Sequence, residues 1–151
     1  SNHCVEENLN DWKTVVEPFS AFLKARSLDK VNLADAKSNE SAQFPDKYGI
    51  EERDAFYKTI MGNKWPGSNG IDSVLIAYDA LLGCNGDWRE LCHRAMIHGG
   101  DNDSTGCIAG AFYGAINGFS GVNANNYEHI EYHDRLFSVG KELYEIQYGS
   151  N

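Results

Sequence analysis

A chain of 151 residues with 42% hydrophobic content has the size and composition of one ordinary globular domain with a sizeable core. Its 22 acidic residues against 13 basic ones leave a formal net charge of −9. That excess argues against nucleic-acid binding, which needs a basic face to neutralise phosphates, and no segment has the roughly 18 consecutive apolar residues of a membrane span.

Taken in chain order, Trp12, Val15, Val16, Phe19, Phe22 and Leu23 recur at helical spacing and predict an N-terminal helix. Pro18 either kinks that helix or opens a second one. A polar loop from about Ser38 to Asp46 precedes a helix near Glu51 to Met61. The Gly- and Asn-rich stretch Gly62 to Gly70 then leads into a helix from Asp72 to Leu82. Asn85-Gly86-Asp87 reads as a turn with an N-cap, opening a helix that bears Trp88, Leu91, Cys92, Ala95 and Met96. No segment alternates as a strand, so the fold class is all-α.

The run from His98 to Gly106 is the most informative part of the chain. After a Gly-Gly pair, Asp101, Asp103, Ser104 and Thr105 set two carboxylates and two hydroxyls within five residues. Hard oxygens crowded into one turn are what Mg²⁺ or Ca²⁺ selects. The competing reading is that one of these residues simply N-caps the helix that follows. Capping needs only one such residue, and the two glycines let the backbone approach a ligand closely.

Beyond the turn, Gly106, Gly110, Gly114 and Gly118 recur every four residues. Residues four apart share a helix face, so the spacing predicts a central Gly-rich helix with a bare strip against which another backbone packs. Tyr127, Ile130, Leu136, Phe137, Leu143, Tyr144 and Ile146 mark one long or two shorter helices at the C-terminal end.

Cys4, Cys84, Cys92 and Cys107 lack C-x-x-C spacing, and Cys92 and Cys107 fall on apolar faces of predicted helices. Free thiols in a reducing, cytoplasmic compartment are the expectation. His98 either orients a metal-bound group or packs against the turn, and packing is the plainer reading. His93 falls on a mostly buried helix. His129 and His133 stand four apart but lack a His-Glu-x-x-His arrangement, and read as a solvated face.

The stretch HGGDNDSTGCIAGAFYGAINGF, from His98 to Phe119, resembles the C-terminal signature of the ADP-ribosylglycohydrolase family, and most nearly its ADP-ribosylarginine hydrolase branch. Trp65 to Leu82, Asp87 to Asp101, Gly121 to Leu136 and Phe44 to Tyr57 are similar to the same branch in the same order, so the resemblance covers most of the chain. It implies an all-α fold with a centre of two Mg²⁺ ions that hydrolyses the bond joining ADP-ribose to a protein side chain. Carried over residue by residue, Asp101, Asp103 and Ser104 match the metal ligands, and the two aspartates the catalytic positions. His98, Gly99 and Gly100 match the approach to that motif. Trp65, Gly67, Ser68, Gly70 and Asp72 fall in a loop that resembles the ligand-facing loop of the family. That loop departs from the branch at Pro66 and Ile71, where glycine and histidine are expected.

The resemblance extends to roughly the C-terminal half of the family domain. The paired acidic residues expected of the N-terminal half have no counterpart in context, since Glu6-Glu7 lies in a polar terminal stretch and Glu51-Glu52 in a surface helix. The whole of residues 1–151 is therefore expected to be that C-terminal half, incomplete and unstable alone. Two functions follow as expectations. In one, the chain is part of a Mg²⁺-dependent ADP-ribosylarginine hydrolase, completed by the N-terminal half as a separate chain, with ADP-ribose or ADP-ribosylated protein as ligand. In the other, it is a catalytically inactive structural or interaction module in a larger assembly. Neither nucleic acid nor membrane is an expected partner.

Overall fold

The computed structural model describes residues 2–30, 41–62 and 65–149. Among them the chain forms α1 (Asn2–Ala25), α2 (Ile50–Met61), α3 (Asp72–Gly83), α4 (Trp88–Met96), α5 (Asn102–Asn117) and α6 (His133–Tyr148), with a single 3-10 turn at Ala124–Asn126 and no strand. The all-α expectation holds. Two compact units divide the chain, Ser1–Gly118 and Phe119–Asn151.

In the first unit, α1 runs unbroken through Pro18 and does not restart there. A proline removes one backbone hydrogen bond, and the rest of a long helix can tolerate the loss. Phe22 is buried, while Val15, Val16 and Phe19 on the same stripe are exposed. The side chain of Trp12 and the stretch 31–40, with the first part of the predicted polar loop, lie outside the described residues. Helix α2 starts where the Glu52 carboxylate accepts the Gly49 N–H, and stops at Gly62, whose φ of 59° is left-handed.

The most enclosed helix is α3. Asp72, Ser73, Leu75, Ile76, Ala77, Asp79, Ala80 and Gly83 are all buried, because α5, α4 and α2 pack around it. The turn before α4 forms as its sequence predicts. Asn85 and Gly86 take positive φ, and the Asp87 carboxylate accepts the Glu90 N–H at 2.6 Å. Leu91 and Ala95 are the buried positions of α4. His93, expected on a mostly buried helix, is on its exposed side.

Helix α5 packs against both α3 and α4. Its buried residues are Thr105, Gly106, Ala109 and Tyr113, and the Tyr113 hydroxyl donates to the Gly86 carbonyl at 2.9 Å. Among the described residues no backbone lies along the glycine strip. A β-carbon at Gly106 would meet the Met96 side chain at 2.9 Å, whereas Gly110 has only the rim of Trp88 at 4.0 Å and Gly114 meets nothing. Gly118 serves as the C-cap at a φ of 58°. The strip thus begins as a close approach and ends as open surface among the described residues. Cys107, expected on an apolar face, is exposed, and among the described thiols Cys84 is the buried one.

A polar cluster sits at the heart of this unit. Arg26, at the end of α1, is 1% exposed and its Nε donates to Asp79 Oδ1 of α3 at 2.6 Å. Its guanidinium lies over the rings of Phe56, Phe44 and Tyr48 at 4.2, 4.5 and 4.6 Å, and also donates to the Tyr48 hydroxyl. Asp79 accepts further from Tyr48 and Tyr57, each at 2.9 Å. Buried charges persist only when paired and hydrogen-bonded, and both conditions are met here. Burial, reinforced by the Asp79 carboxylate, pushes both phenols above their ordinary range.

The second unit opens with an aromatic succession: Phe119 lies 4.3 Å from Tyr127, which stacks on His133, which stacks on Phe137. Helix α6 begins only at His133, so His129 and His133 do not share a helix.

Candidate metal-binding turn

The stretch 97–101 joins α4 to α5, and its shape is set by three short-range devices. Asn102 reaches back over the turn. Its amide oxygen accepts the His98 N–H, and its amide nitrogen donates to the His98 and Gly100 carbonyls, each at 3.1 Å. The Asp101 N–H donates to the Pro66 carbonyl at 2.8 Å, which ties the turn to the loop before α3. Two glycines permit that approach. At Gly100 a β-carbon would collide with the Pro66 carbonyl oxygen, and at Gly67, where φ is +92°, it would stand 2.9 Å from the Asp101 carbonyl oxygen. The unexpected proline at position 66 therefore supplies an acceptor, for which its missing N–H is no handicap.

The hard oxygens stand together at the N-terminus of α5. Asp101 is the N-cap. Its Oδ1 accepts the Ser104 N–H at 3.4 Å and its Oδ2 accepts the Ser104 hydroxyl at 3.2 Å. Asp103 Oδ1 accepts the same N–H at 2.9 Å. A hydrogen bond shared with Asp101, together with that backbone donor, holds the Asp103 carboxyl below its ordinary value. Negative charge gathered in so short a turn is offset in part by the helix N-terminus. Capping and cation binding are thus not exclusive, since each carboxylate keeps acceptor capacity after it has capped.

The donor set fits a hard divalent cation in kind. Asp101, Asp103 and Ser104 offer carboxylate and hydroxyl oxygens only, as Mg²⁺ prefers. In number it is partial, because the described residues contain no group of three or more His, Cys, Asp or Glu side chains placed to hold a metal ion.

The remaining sequence candidates occupy distinct positions. Trp65 is 60% exposed, and its carbonyl accepts the Ser68 hydroxyl at 2.8 Å. Gly70 is exposed, and among the described residues nothing stands within 4 Å of where a β-carbon would lie. Asp72 is fully buried and accepts the Asn69 N–H, while Asn69 in turn accepts the N–H groups of Ile71 and Asp72. Its carboxylate thereby organises the loop from within. The Gly99 α-carbon faces Asp54, so that a β-carbon there would lie 2.6 Å from Oδ1. His98 is 7% exposed, and burial holds its imidazole below its ordinary value, partly offset by Asp54.

Three residues take roles here that no local sequence signal assigned. Thr105 looked like one more hydroxyl of the motif, yet it is 0% exposed and bonded to His98 Nε2 at 2.9 Å. Tyr57 sits edge-on to the His98 ring at 5.9 Å. Asp79 anchors Tyr57 from the opposite side. Only the prediction of buried partners for Tyr57 and Asp79 could have found them, and that requires the packing of α2 on α3.

The family profile for ADP-ribosylglycohydrolase matches residues 2–151. The chain is 39% identical over 148 residues to the ADP-ribosylhydrolase ARH1 of Dictyostelium discoideum; the match takes in 95% of this chain and 38% of that relative's length. A second similarity, 39% over 54 residues, is to a protein of Acanthamoeba polyphaga mimivirus assigned to the ADP-ribosyl glycohydrolases, and covers 36% of this chain and 10% of that one.

Proposed function

The chain belongs to the ADP-ribosylglycohydrolase family, and from that premise we propose that it forms part of a Mg²⁺-dependent hydrolase that releases ADP-ribose from protein arginine. The observation that carries this reading is the convergence of the Asp101, Asp103 and Ser104 oxygens at the start of α5. Asp101, Asp103 and Ser104 hold the metal, and further oxygen ligands come from the complementary part of the domain. The chain spans 38% of the length of its Dictyostelium relative. When bound, Mg²⁺ supplies the positive charge that polarises the glycosidic linkage or an attacking water. The chain's own part is to hold the two carboxylates in place at the start of α5, and to keep the 65–70 loop against the turn through the Asp101–Pro66 bond. In that loop Trp65, Gly67, Ser68 and Gly70 face the ADP-ribose ligand, with Asp72 bracing them from below. His98, Gly99 and Gly100 lead the chain into the site. The free thiols Cys84, Cys92 and Cys107 support a cytoplasmic setting. Among the described residues no helix is long and apolar enough to cross a membrane.

The test is Mg²⁺-dependent release of ADP-ribose from ADP-ribosylated arginine by the chain assembled with its complement. Asp101→Ala is expected to lower the rate by about 100-fold or more, at least as much as losing a supporting partner of a metal ligand. Unchanged release by that variant refutes the assignment.

A second reading, a non-catalytic interaction module, is favoured by one observation. Val15, Phe19, Leu23, Val74, Tyr78 and Leu82 line an apolar cavity of about 720 Å³ between α1 and α3, a surface suited to a partner. Mg²⁺-dependent activity in the assembled protein decides against it.

A further inference from the structure

We propose that Thr105 and His98 form a latch that sets the Asp101 turn, with the Thr105 hydroxyl as its keystone and His98 held as the Nε2–H tautomer. Both are positioning residues. The proposal rests on the reading of Asp101, Asp103 and Ser104 as the ligand turn only for its functional consequence, since the latch itself is a matter of geometry.

The two residues stand on either side of the turn, and the bond between them closes it. Thr105 Oγ1 lies 2.7 Å from the Ala95 carbonyl oxygen, 3.0 Å from that of Asp101 and 3.3 Å from that of Asn102, as well as 2.9 Å from His98 Nε2. A hydroxyl has a single proton to give. If it went to the imidazole, the oxygens of Thr105 and Ala95 would face each other at 2.7 Å with no hydrogen between them. The proton therefore goes to a carbonyl, Ala95 being nearest, and His98 Nε2 must carry its own hydrogen and donate to Oγ1. That leaves Nδ1 as a bare lone pair, in keeping with its having no hydrogen-bond partner among the described residues.

One hydroxyl thus joins the last turn of α4, the imidazole and the Asp101 peptide. The Thr105 methyl group presses on Gly67, whose β-carbon position is 2.9 Å away, so the same side chain also sets the 65–70 loop. The imidazole is held in turn by the edge of Tyr57, and Tyr57 by Asp79. Asp101 is pinned at its N–H by Pro66 and beside its carbonyl by Thr105, which fixes the carboxylate where it caps Ser104 and still has acceptor capacity for a ligand.

The experiment compares wild type, Thr105→Val and Thr105→Ser, each assembled with the complementary part of the domain, at neutral pH. Serine keeps the hydroxyl, and valine keeps the shape without it. Amide hydrogen exchange at 99–104 is expected to be about 10-fold faster in the valine variant, as the loss of one buried hydrogen bond implies, with exchange in α3 unchanged and the serine variant close to wild type. Mn²⁺ affinity, read by electron paramagnetic resonance, is expected to fall by a similar factor in the valine variant and to recover with serine. In the wild type, a long-range ¹H–¹⁵N spectrum is expected to show His98 protonated at Nε2. An Nδ1–H signal overturns the proposal even if the valine variant does not fold. So does faster exchange spread evenly over the first unit, which would make Thr105 a general core residue. A wild-type assembly that binds no Mn²⁺ counts against the ligand-turn reading instead, and the exchange and tautomer data still decide on the latch.

Discussion

Removing the Asp79 carboxylate is the sharpest test of how this fold is held together. Asp79 is fully buried and accepts three hydrogen bonds, from Arg26 Nε at 2.6 Å and from the Tyr48 and Tyr57 hydroxyls at 2.9 Å each. Asp79→Ala leaves a guanidinium and two phenols in the core without their acceptor. Breaking a buried ion pair from one side costs about 3–5 kcal/mol, a fifth or more of the roughly 5–15 kcal/mol that stabilises a typical domain. With a urea m-value of about 2 kcal/mol/M, the unfolding midpoint should fall by about 2 M at constant slope. Far-UV circular dichroism through a urea titration measures this directly. A loss below about 1 kcal/mol would refute the claim that the pair is sealed from solvent. A companion variant, Arg26→Met with Asp79→Leu, separates the orphaned charge from the packing. Methionine suits the ring cage left by Arg26, and replacing both partners by apolar groups should restore stability to within about 1–2 kcal/mol of wild type. If the double variant is as unstable as the sum of its parts, the cost lies in shape and not in charge.

Two further outcomes follow from the same interior and from the turn. Because Tyr48 and Tyr57 have folded-state values raised by burial above the ordinary value of 10.0, their contribution to stability is complete below about pH 10 and is lost as pH rises beyond it. In an ultraviolet titration both phenols should stay protonated until the chain unfolds, and ionisation of all eight tyrosines in one step near pH 10 with circular dichroism unchanged would contradict their burial. Alanine at Gly100, forced against the Pro66 carbonyl, should destabilise the chain by about 2 kcal/mol or more, whereas alanine at Gly114, in open space, should stabilise it by about 0.5–1 kcal/mol. Equal effects in thermal denaturation would mean that the turn and the loop do not press together.

The helices were legible because their signals are local. Asp87 capped α4 from its own side chain, and the Asn85-Gly86 turn needed only the residues that adopt it. The hard-oxygen turn was legible for the same reason, since Asp101, Asp103 and Ser104 are neighbours in sequence and so must be neighbours in space. Elsewhere a local pattern misled. The glycine strip of α5 has its close approach at Gly106 alone, where Met96 happens to lie, and the spacing of four carries no information about what stands opposite. The stripe Val15–Phe19–Phe22 likewise has helical period but buries Phe22 and leaves Val15 and Phe19 exposed.

Sequence alone determined the all-α class, the register of most helices and the chemistry of the turn at Asp101, all of which depend on backbone propensity and on residues a few positions apart. Tertiary structure decided what surrounds that chemistry. Arg26 and Asp79 are 53 residues apart, and His98 finds Tyr57 across another helix. Nothing in a charged residue's neighbours announces that it will be buried with its opposite, because the free energy that makes burial tolerable comes from a partner supplied by a distant segment. Thr105 shows the boundary within one motif. Its place in the sequence marked it as a hydroxyl among ligands, and only the packing of α4 against α5 turned that hydroxyl inward to Ala95 and His98.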